Sequence, residues 1–274
     1  MNVKRKEGGK MNVKRMIRIL AVASALALGS AATAAPIMHV HDSQGNLGTV
    51  DVATGNVTVI GNMGVVMTDI AFDPSGNLYG ISFTNLYSIN PGTAAATFIG
   101  GHGVPGGNAL VFATDGTLYA AGFSGTNLYR INPANGATTD LGNMGFTSGG
   151  DLAFNAGKFY LADGLSRLVR IDLANLANTT LVGSFGVPSV FGLATGDDGL
   201  LYAVAGTTIY TVNTSTGAAT NPVSFASQGL GTAFGQSFRT EAVPEPATLL
   251  LLSVMLLGLA VARGRYGRAA RPAF

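Results

Sequence analysis

The sequence predicts an all-β fold, a five-bladed β-propeller, with an N-terminal signal helix and a C-terminal transmembrane helix outside it. Three observations lead to this prediction. A unit of about 40 residues recurs four times, each unit holds four strand-like runs, and a fifth unit is divided between the two ends of the repeat region. Repeated units of this length, each with four short strands, are typical of propeller blades.

Four segments of the chain line up as repeats. They begin at Asp69, Ala109, Asp151 and Gly192. A tyrosine recurs within each repeat at intervals of 40, 41 and 42 residues, at Tyr79, Tyr119, Tyr160 and Tyr202. One supersecondary unit has therefore been repeated along the chain.

The second repeat shows the predicted blade most clearly. Its strand-like runs cover residues 110–113, 117–122, 127–132 and 138–141. Asp115-Gly116 and Asn135-Gly136 lie between runs, and both pairs tolerate the positive φ of tight hairpin turns. Phenylalanines recur at one position of three repeats, Phe72, Phe112 and Phe154, where we expect them to fill the core between blades.

The fifth blade is predicted to combine both ends of the repeat region. Ile37–His41, Leu47–Val52 and Val57–Gly61 match the second, third and fourth strands, and Gly229–Gly235 supplies the missing first strand. Pairing the two ends closes a ring and protects the sheet edges. An open solenoid and a different blade count are the structural alternatives.

The N-terminal 34 residues have the features of a secretory signal peptide. Seven basic residues precede a short apolar stretch, and small residues follow it up to Ala34. This order predicts cleavage between Ala34 and Ala35. Because Met-Asn-Val-Lys-Arg occurs at both Met1 and Met11, translation from Met11 is an alternative start.

The C-terminal residues 243–274 contain a polar motif, an apolar run and a basic end. Pro244, Glu245 and Pro246 form a segment that we expect to be extended, because two prolines remove backbone donors. The apolar run 247–262 would form a helix of about 24 Å, slightly shorter than the ~30 Å hydrocarbon core of a bilayer. Four arginines follow it, which predicts a cytoplasmic C-terminus.

These features together resemble the PEP-CTERM sorting region of Gram-negative bacterial proteins. The resemblance implies that an exosortase-type processing enzyme recognises Pro244, Glu245 and Pro246 and removes the tail. It also implies export across the inner membrane, transient anchoring by the C-terminal helix, and delivery to the envelope, the cell surface or an exopolysaccharide matrix. A polysaccharide is the partner that this setting implies. A membrane-anchored interaction module that keeps its tail is the alternative.

The repeat domain, residues 35–242, is acidic although the whole chain is basic. It holds five basic and twelve acidic residues, a net charge of −7, because the other basic residues lie in the two terminal segments. An acidic domain repels phosphate backbones, so we expect no nucleic-acid partner. The chain has no cysteine, which excludes disulfides, thiolate metal ligands and a cysteine nucleophile.

Few residues of the domain have the pattern of a metal or cofactor site. His39 and His41 share one face of a predicted strand and could chelate a metal with a third ligand, but no third ligand is evident. Asp115-Gly116, Asp197-Asp198-Gly199 and Asp73-Pro74-Ser75-Gly76 could suggest calcium, yet they occupy hairpin turns. We therefore predict no metal ligand, no cofactor and no catalytic residue.

The sequences Asp-Gly-Thr-Leu-Tyr at Asp115 and Asp-Gly-Leu-Leu-Tyr at Asp198 resemble NHL-like, gluconolactonase-like (SMP-30-like) and streptogramin-lyase-like propellers. Those families imply a channel metal bound partly by a Glu, or a channel His. Here Glu241 lies outside the repeats and His102 lies in a glycine-rich connection, so the resemblance concerns the scaffold. The prediction is a non-enzymatic binding or structural protein; a propeller lyase or lactonase with a metal in its central channel is the alternative.

Overall fold

A computed structural model describes residues 35–239, which form five antiparallel four-stranded sheets. We call each sheet a blade and give its strands from the innermost outward. Blade 1 contains β20 (Ala233–Phe238), β1 (Ile37–Asp42), β2 (Asn46–Asp51) and β3 (Val57–Asn62). Blade 2 contains β4 (Asp69–Phe72), β5 (Leu78–Ile81), β6 (Asn85–Ile89) and β7 (Ala96–Gly101). Blade 3 contains β8 (Gly107–Phe112), β9 (Leu118–Gly122), β10 (Asn127–Ile131) and β11 (Thr138–Asn143).

Blade 4 contains β12 (Ser148–Asn155), β13 (Lys158–Asp163), β14 (Arg167–Ile171) and β15 (Thr180–Ser184). Blade 5 contains β16 (Val190–Thr195), β17 (Leu201–Ala205), β18 (Thr208–Val212) and β19 (Ala219–Ser224). A single 3-10 turn, Leu176–Asn178, is the one helical element among the described residues. Within residues 35–239 no helix is long and apolar enough to cross a membrane.

The ring is closed by pairing between the two ends of the domain, as the sequence predicts. β20 runs antiparallel to β1, with Phe238 opposite Met38 and Gly235 opposite His41. The closing strand begins at Ala233, so the predicted segment Gly229–Gly235 was placed four residues too early. Gly229 has a φ of +98° and belongs to the turn before the strand. Both closing strands lie within the described residues, so this segment holds the whole hydrogen-bonded ring.

The predicted turns are confirmed at the hairpins. Gly116, Gly136 and Gly199 have φ values of +84°, +79° and +78°, which suit glycine. The carboxylate of Asp115 accepts a hydrogen bond from Thr117 N at 2.9 Å, and that of Asp198 accepts one from Leu200 N at 3.0 Å. These aspartates satisfy backbone donors within their own turns.

The core consists of five apolar clusters, each containing side chains from adjacent blades. Phe72 is buried, and Phe112 and Phe154 pack half-buried against these clusters, as predicted. Tyr160 and Tyr202 are buried as well. Apolar burial between blades therefore supplies the main stabilisation of the ring.

β-Bulges recur at equivalent places in the blades. The pairing of the third and fourth strands shifts register once in every blade, for example between Leu128 and Tyr129. The pairing of the first and second strands shifts register in blades 1, 3, 4 and 5, near the start of the innermost strand. We call this end of the ring, where the innermost strands begin, the mouth. The bulges there set the direction of the side chains discussed below.

Several predicted features lie outside the described residues. These are the signal segment up to Ala34, the sorting motif Pro244, Glu245 and Pro246, and the apolar run 247–262 with the arginines after it.

Candidate functional site at the mouth of the ring

A pocket of about 430 Å³ opens at the mouth. Each blade contributes the residue that precedes the aligned first position of its innermost strand. We call these five residues the mouth layer: Thr68, Asn108, Gly150, Phe191 and Phe234. A volume of this size is in the usual range for a small-molecule site.

Bulges direct four members of the mouth layer into the pocket. Asn108, Gly150, Phe191 and Phe234 each fall where the pairing with the neighbouring strand skips a residue. A bulged residue leaves the regular ladder, and its side chain turns away from the sheet direction. In blade 2 the pairing is regular, and Thr68 instead hydrogen-bonds through its backbone N to Ile81 O at 2.7 Å.

Aromatic side chains form the walls and rim of the pocket. Phe83 and Phe123 lie in equivalent turns of blades 2 and 3, with ring centroids 5.5 Å apart and edge-to-face geometry. They are 53% and 52% exposed, so their faces remain available to a ligand. Phe191 and Phe234 form a second edge-to-face pair at 6.1 Å. Such rings provide rigid apolar area for binding.

Asp163 is the one ionisable residue among the described residues that line the pocket. Its carboxylate already accepts hydrogen bonds from neighbouring groups of the protein. Oδ1 accepts hydrogen bonds from Leu165 N and Arg167 N, and Oδ2 accepts one from Arg167 Nε at 2.8 Å. The guanidinium also lies over the ring of Phe146 at 5.8 Å. The pocket is therefore effectively neutral, which suits an uncharged ligand.

Two further features of the lining point to binding. The buried Oδ1 of Asn108 has no hydrogen-bond partner, so it can accept one from a ligand donor. Ser166 and Ser189 have φ values of +55° and +57°, a conformation that L-residues rarely adopt. Strained backbone of this kind persists where the surrounding structure enforces it, often at binding sites.

Below the mouth layer, the next residue of each innermost strand lies at the axis of the ring. We call these five residues the axial layer: Asp69, Ala109, Asp151, Gly192 and Gly235. Small residues occur at three of the five positions because space there is scarce. A Cβ added to Gly192 would lie 2.9 Å from Gln236 Cδ, and one added to Gly235 would lie 2.6 Å from His41 Nε2.

The two aspartates of the axial layer connect neighbouring blades. Asp69 Oδ2 accepts a hydrogen bond of 2.6 Å from Leu110 N in blade 3. Asp151 Oδ2 accepts one of 2.6 Å from Leu193 N in blade 5. Each carboxyl also accepts a bond from the residue after it, Ile70 N or Leu152 N. These bonds join blade 2 to blade 3 and blade 4 to blade 5 at the axis.

The same two carboxyl groups meet each other across the axis, within hydrogen-bonding distance. Burial raises the pKa of Asp69 well above its ordinary value, and the charge of Asp151 raises it further. Burial also raises the pKa of Asp151, while the hydrogen bond from Asp69 opposes that rise. Both directions agree with a pair that holds one proton between its two carboxyl groups.

His41 lies beside this pair and is fully buried. Neither of its ring nitrogens has a hydrogen-bond partner, and burial lowers the pKa of His41 to about 3. Gln236 donates through Nε2 to Tyr202 O at 3.1 Å, but its Oε1 is also unpartnered. The axis thus holds a cluster of buried polar groups with unused bonding capacity.

The other histidines have structural surroundings. His39 and His41 do share a face of β1. His39 packs edge-on against Phe72 of β4 at 4.8 Å, and His41 lies near Asp69, which is also on β4. His102 Nε2 lies 3.0 Å from Ser82 O, and its Nδ1 accepts from Val104 N. Within residues 35–239 no three His, Asp or Glu side chains converge as metal ligands.

Comparison with known proteins places these repeats in a family. A family model described as a repeat of unknown function (DUF6923) matches residues 84–240. The chain belongs to the DUF6923 family. The match covers the two outer strands of blade 2, all of blades 3 to 5, and the strand that closes the ring. No curated protein matches the DUF6923 chain.

Several solved structures are similar to this DUF6923 protein at low identity. A chain in a nidogen/laminin complex is 11% identical with a TM-score of 0.55, over 74% of this chain and 98% of that chain. A chain from work on the de novo evolutionary emergence of a symmetrical protein is 20% identical, TM-score 0.48, over 73% and 93%. Virginiamycin B lyase from Staphylococcus aureus is 11% identical, TM-score 0.42, over 70% and 71%. The likeness to the chain of the nidogen/laminin complex concerns the fold alone.

Sequence reasoning did not identify the mouth layer or the two aspartates of the axial layer, Asp69 and Asp151, which we call the axial pair. A signal for both exists in the aligned repeats. The residue before the first aligned position differs in chemistry between repeats, as Thr68, Asn108, Gly150 and the two phenylalanines show. Two positions later the four complete repeats all have Ile or Leu. The first position itself is Asp in two repeats and Ala or Gly in the others. Two adjacent columns that vary in chemistry beside a uniformly apolar one are a signal of a site instead of packing.

Proposed function

We propose that this DUF6923 protein is an exported propeller that binds an uncharged, hydroxyl-rich ligand at its mouth and has a non-enzymatic role in the envelope or extracellular matrix. The mouth pocket is the observation that carries the proposal. It combines exposed aromatic rings, the unpartnered carbonyl of Asn108, and the hydroxyl of Ser148, which accepts from Gly150 N and can donate its own proton. A sugar ring offers a matching apolar face and peripheral hydroxyls, so a polysaccharide is the ligand class that fits.

The hydrogen bonds that hold the Asp163 carboxylate support a binding role over catalytic turnover. General acid–base chemistry needs a titratable group that can reach the substrate, but this carboxylate is held by Arg167 and two backbone donors. The axial carboxyls lie beneath the pocket floor and are fully buried. A lyase or lactonase reaction would require one of these groups to be released.

The export part of the proposal rests on the two terminal segments. The signal-like residues up to Ala34 and the resemblance around Pro244, Glu245 and Pro246 suggest export, processing by an exosortase-type enzyme, and release from a transient membrane anchor. Intact-mass measurement of the chain recovered from the producing cells tests this. A mass that begins at Ala35 and lacks the residues after Pro246 supports sorting, whereas a retained tail supports the membrane-anchored interaction module.

Binding is tested by calorimetric titration of residues 35–242 with neutral oligosaccharides. Phe83→Ala and Phe123→Ala should each weaken binding about threefold to tenfold, since each removes an aromatic surface worth about 0.5–1.5 kcal/mol. Phe98→Ala is the matched control, because Phe98 is 59% exposed on β7 and lies outside the pocket. Equal losses in all three variants, or metal-dependent turnover of a lactone or glycan, would overturn the proposal.

A further inference from the structure

The negative charge of the axial pair needs a compensating positive charge. Asp69 and Asp151 are fully buried, and each carboxyl accepts two backbone N–H bonds, which hold it in place. Two ionised carboxylates in contact within a dry interior would repel strongly and would lose their hydration. Some positive species must therefore lie between them.

No basic side chain supplies that charge. Among the described residues, the one ion pair at salt-bridge distance joins Asp163 to Arg167 at the mouth. No third acidic or histidine ligand completes a metal site there. A proton is the smallest positive species that a pair of carboxyls can share, and it needs no additional ligand.

His41 borders the axial pair but does not supply its positive charge. Its ring is fully buried beside Asp69, and both nitrogens lack partners. A Cβ on Gly235 would touch both Asp69 Oδ1 and His41 Nε2, so the two atoms border the same small space. Burial keeps this imidazole neutral, so it adds no positive charge to the pair.

We propose that the axial layer is a one-proton site, in which Asp69 and Asp151 share a single proton at neutral pH and loss of that proton loosens the contact between blades 2 and 4. This inference does not depend on the ligand at the mouth. It assigns a role to the two aspartates beyond their bonds to Leu110 and Leu193. The proton is thus a structural component of the closed ring.

Few titratable groups lie close enough to the pair to compete for its proton. The strands packed against β4 and β12 carry five titratable residues: Tyr79, Tyr119, Lys158, Tyr160 and Asp163. Strand β1 carries three more: His39, His41 and Asp42. Of these, His41 alone borders the pair. Lys158 is exposed at the start of β13, Asp163 is bonded to Arg167, and Asp42 accepts bonds from its own turn and from Gly231 N.

The proton site also lies directly under the mouth. Thr68 precedes Asp69, and Gly150 precedes Asp151, so the pair connects the two strands that support opposite parts of the pocket floor. Separation of the two carboxyls would move these residues apart. The width of the pocket therefore depends on whether the proton is bound.

Infrared spectroscopy of the full chain, with and without ¹³C-labelled aspartate side chains, tests the proposal. A protonated carboxyl has a C=O band well separated from that of carboxylates. We expect one aspartic acid per chain at pH 7, sensitive to the ¹³C label and lost as the solution is made strongly alkaline. Asp69→Asn and Asp151→Asn should each remove the band, whereas the matched turn variant Asp73→Asn should retain it.

The wild-type spectrum is decisive even if an axial variant fails to fold. Absence of a protonated aspartate at pH 7 would overturn the proposal. Appearance of the band only after treatment with a chelator would also overturn it, because a metal cation would then hold the pair. Retention of the band in both axial variants would also overturn it, because the protonated carboxyl would then not require the pair. None of these outcomes depends on sugar binding at the mouth.

Discussion

At the residue scale, the axis of the ring has little room for additional side-chain atoms. Gly235 faces both Asp69 and His41, and a Cβ there would lie 2.6 Å from His41 Nε2 and 3.0 Å from Asp69 Cα. Three of the five blades carry Ala or Gly at this position, which leaves room for the carboxyls of the other two. The small residues are therefore a condition for the buried pair.

Gly235→Ala should lower the free energy of unfolding by about 1–3 kcal/mol, because the added methyl group must displace the axial carboxyl or the imidazole. Gly103→Ala is the matched control, since a Cβ there meets no atom within 4 Å. Urea unfolding followed by circular dichroism measures both. A Gly235→Ala variant as stable as Gly103→Ala would show that the axis is less crowded than the structure indicates.

At the element scale, the ring depends on the pairing of β20 with β1. Without β20, the edge of β1 would expose unpaired backbone groups, and the core cluster of blade 1 would lose Ala233. Exposed strand edges promote association between chains. The closing strand thus has a larger role in stability than its six residues suggest.

A chain ended after Thr232 should lose cooperative thermal unfolding and should associate, whereas a chain ended after Arg239 should remain a monomer with a single transition. The two truncations differ only by the closing strand and its last neighbour. Calorimetry and sedimentation velocity measure the difference. Equal behaviour of the two truncated chains would contradict closure through β20.

The elements were largely predictable from the sequence, but the sites were not. Turn pairs such as Asp115-Gly116 fix hairpins locally, and the repeat period indicates the blades. Bulges leave little trace in local alternation, so the direction of Asn108 and Phe191 could not be inferred. The meeting of Asp69 with Asp151 depends on ring closure, which brings distant repeats to one axis. The start of β20 was misplaced because the glycines before it resemble strand residues of the other blades.

At the scale of the whole molecule, stability should depend on pH through two opposing groups. The folded pKa values of the axial pair are raised above the ordinary value of 3.8, so the folded ring binds more protons than the unfolded chain. The contribution of the pair is greatest below about pH 4 and declines as the pH rises toward the raised values. Burial lowers the pKa of His41 to about 3 and that of His39 to about 4.

The histidines should therefore destabilise the ring on acidification, since the unfolded chain binds their protons first. Between pH 6.5 and 4 each should contribute a loss on the order of 3 kcal/mol. His41→Gln should remove part of this acid sensitivity, and Asp69→Asn should reduce the decline at alkaline pH. Chemical unfolding across pH 4 to 10 measures both effects. A wild-type profile that is unchanged by either substitution would show that these groups do not set the pH dependence.

The whole molecule combines a neutral, aromatic mouth with an acidic exterior and two terminal segments that suggest export. The central claim is that the five blades bring residues of different chemistry together at the mouth to bind a neutral, hydroxyl-rich ligand. Its most direct test is chemical-shift mapping of ¹⁵N-labelled residues 35–242 during titration with neutral oligosaccharides. The account predicts saturable shifts centred on Thr68, Asn108, Gly150, Phe191 and Phe234. Shifts confined to the outer strands of the blades, or none at all, would contradict it.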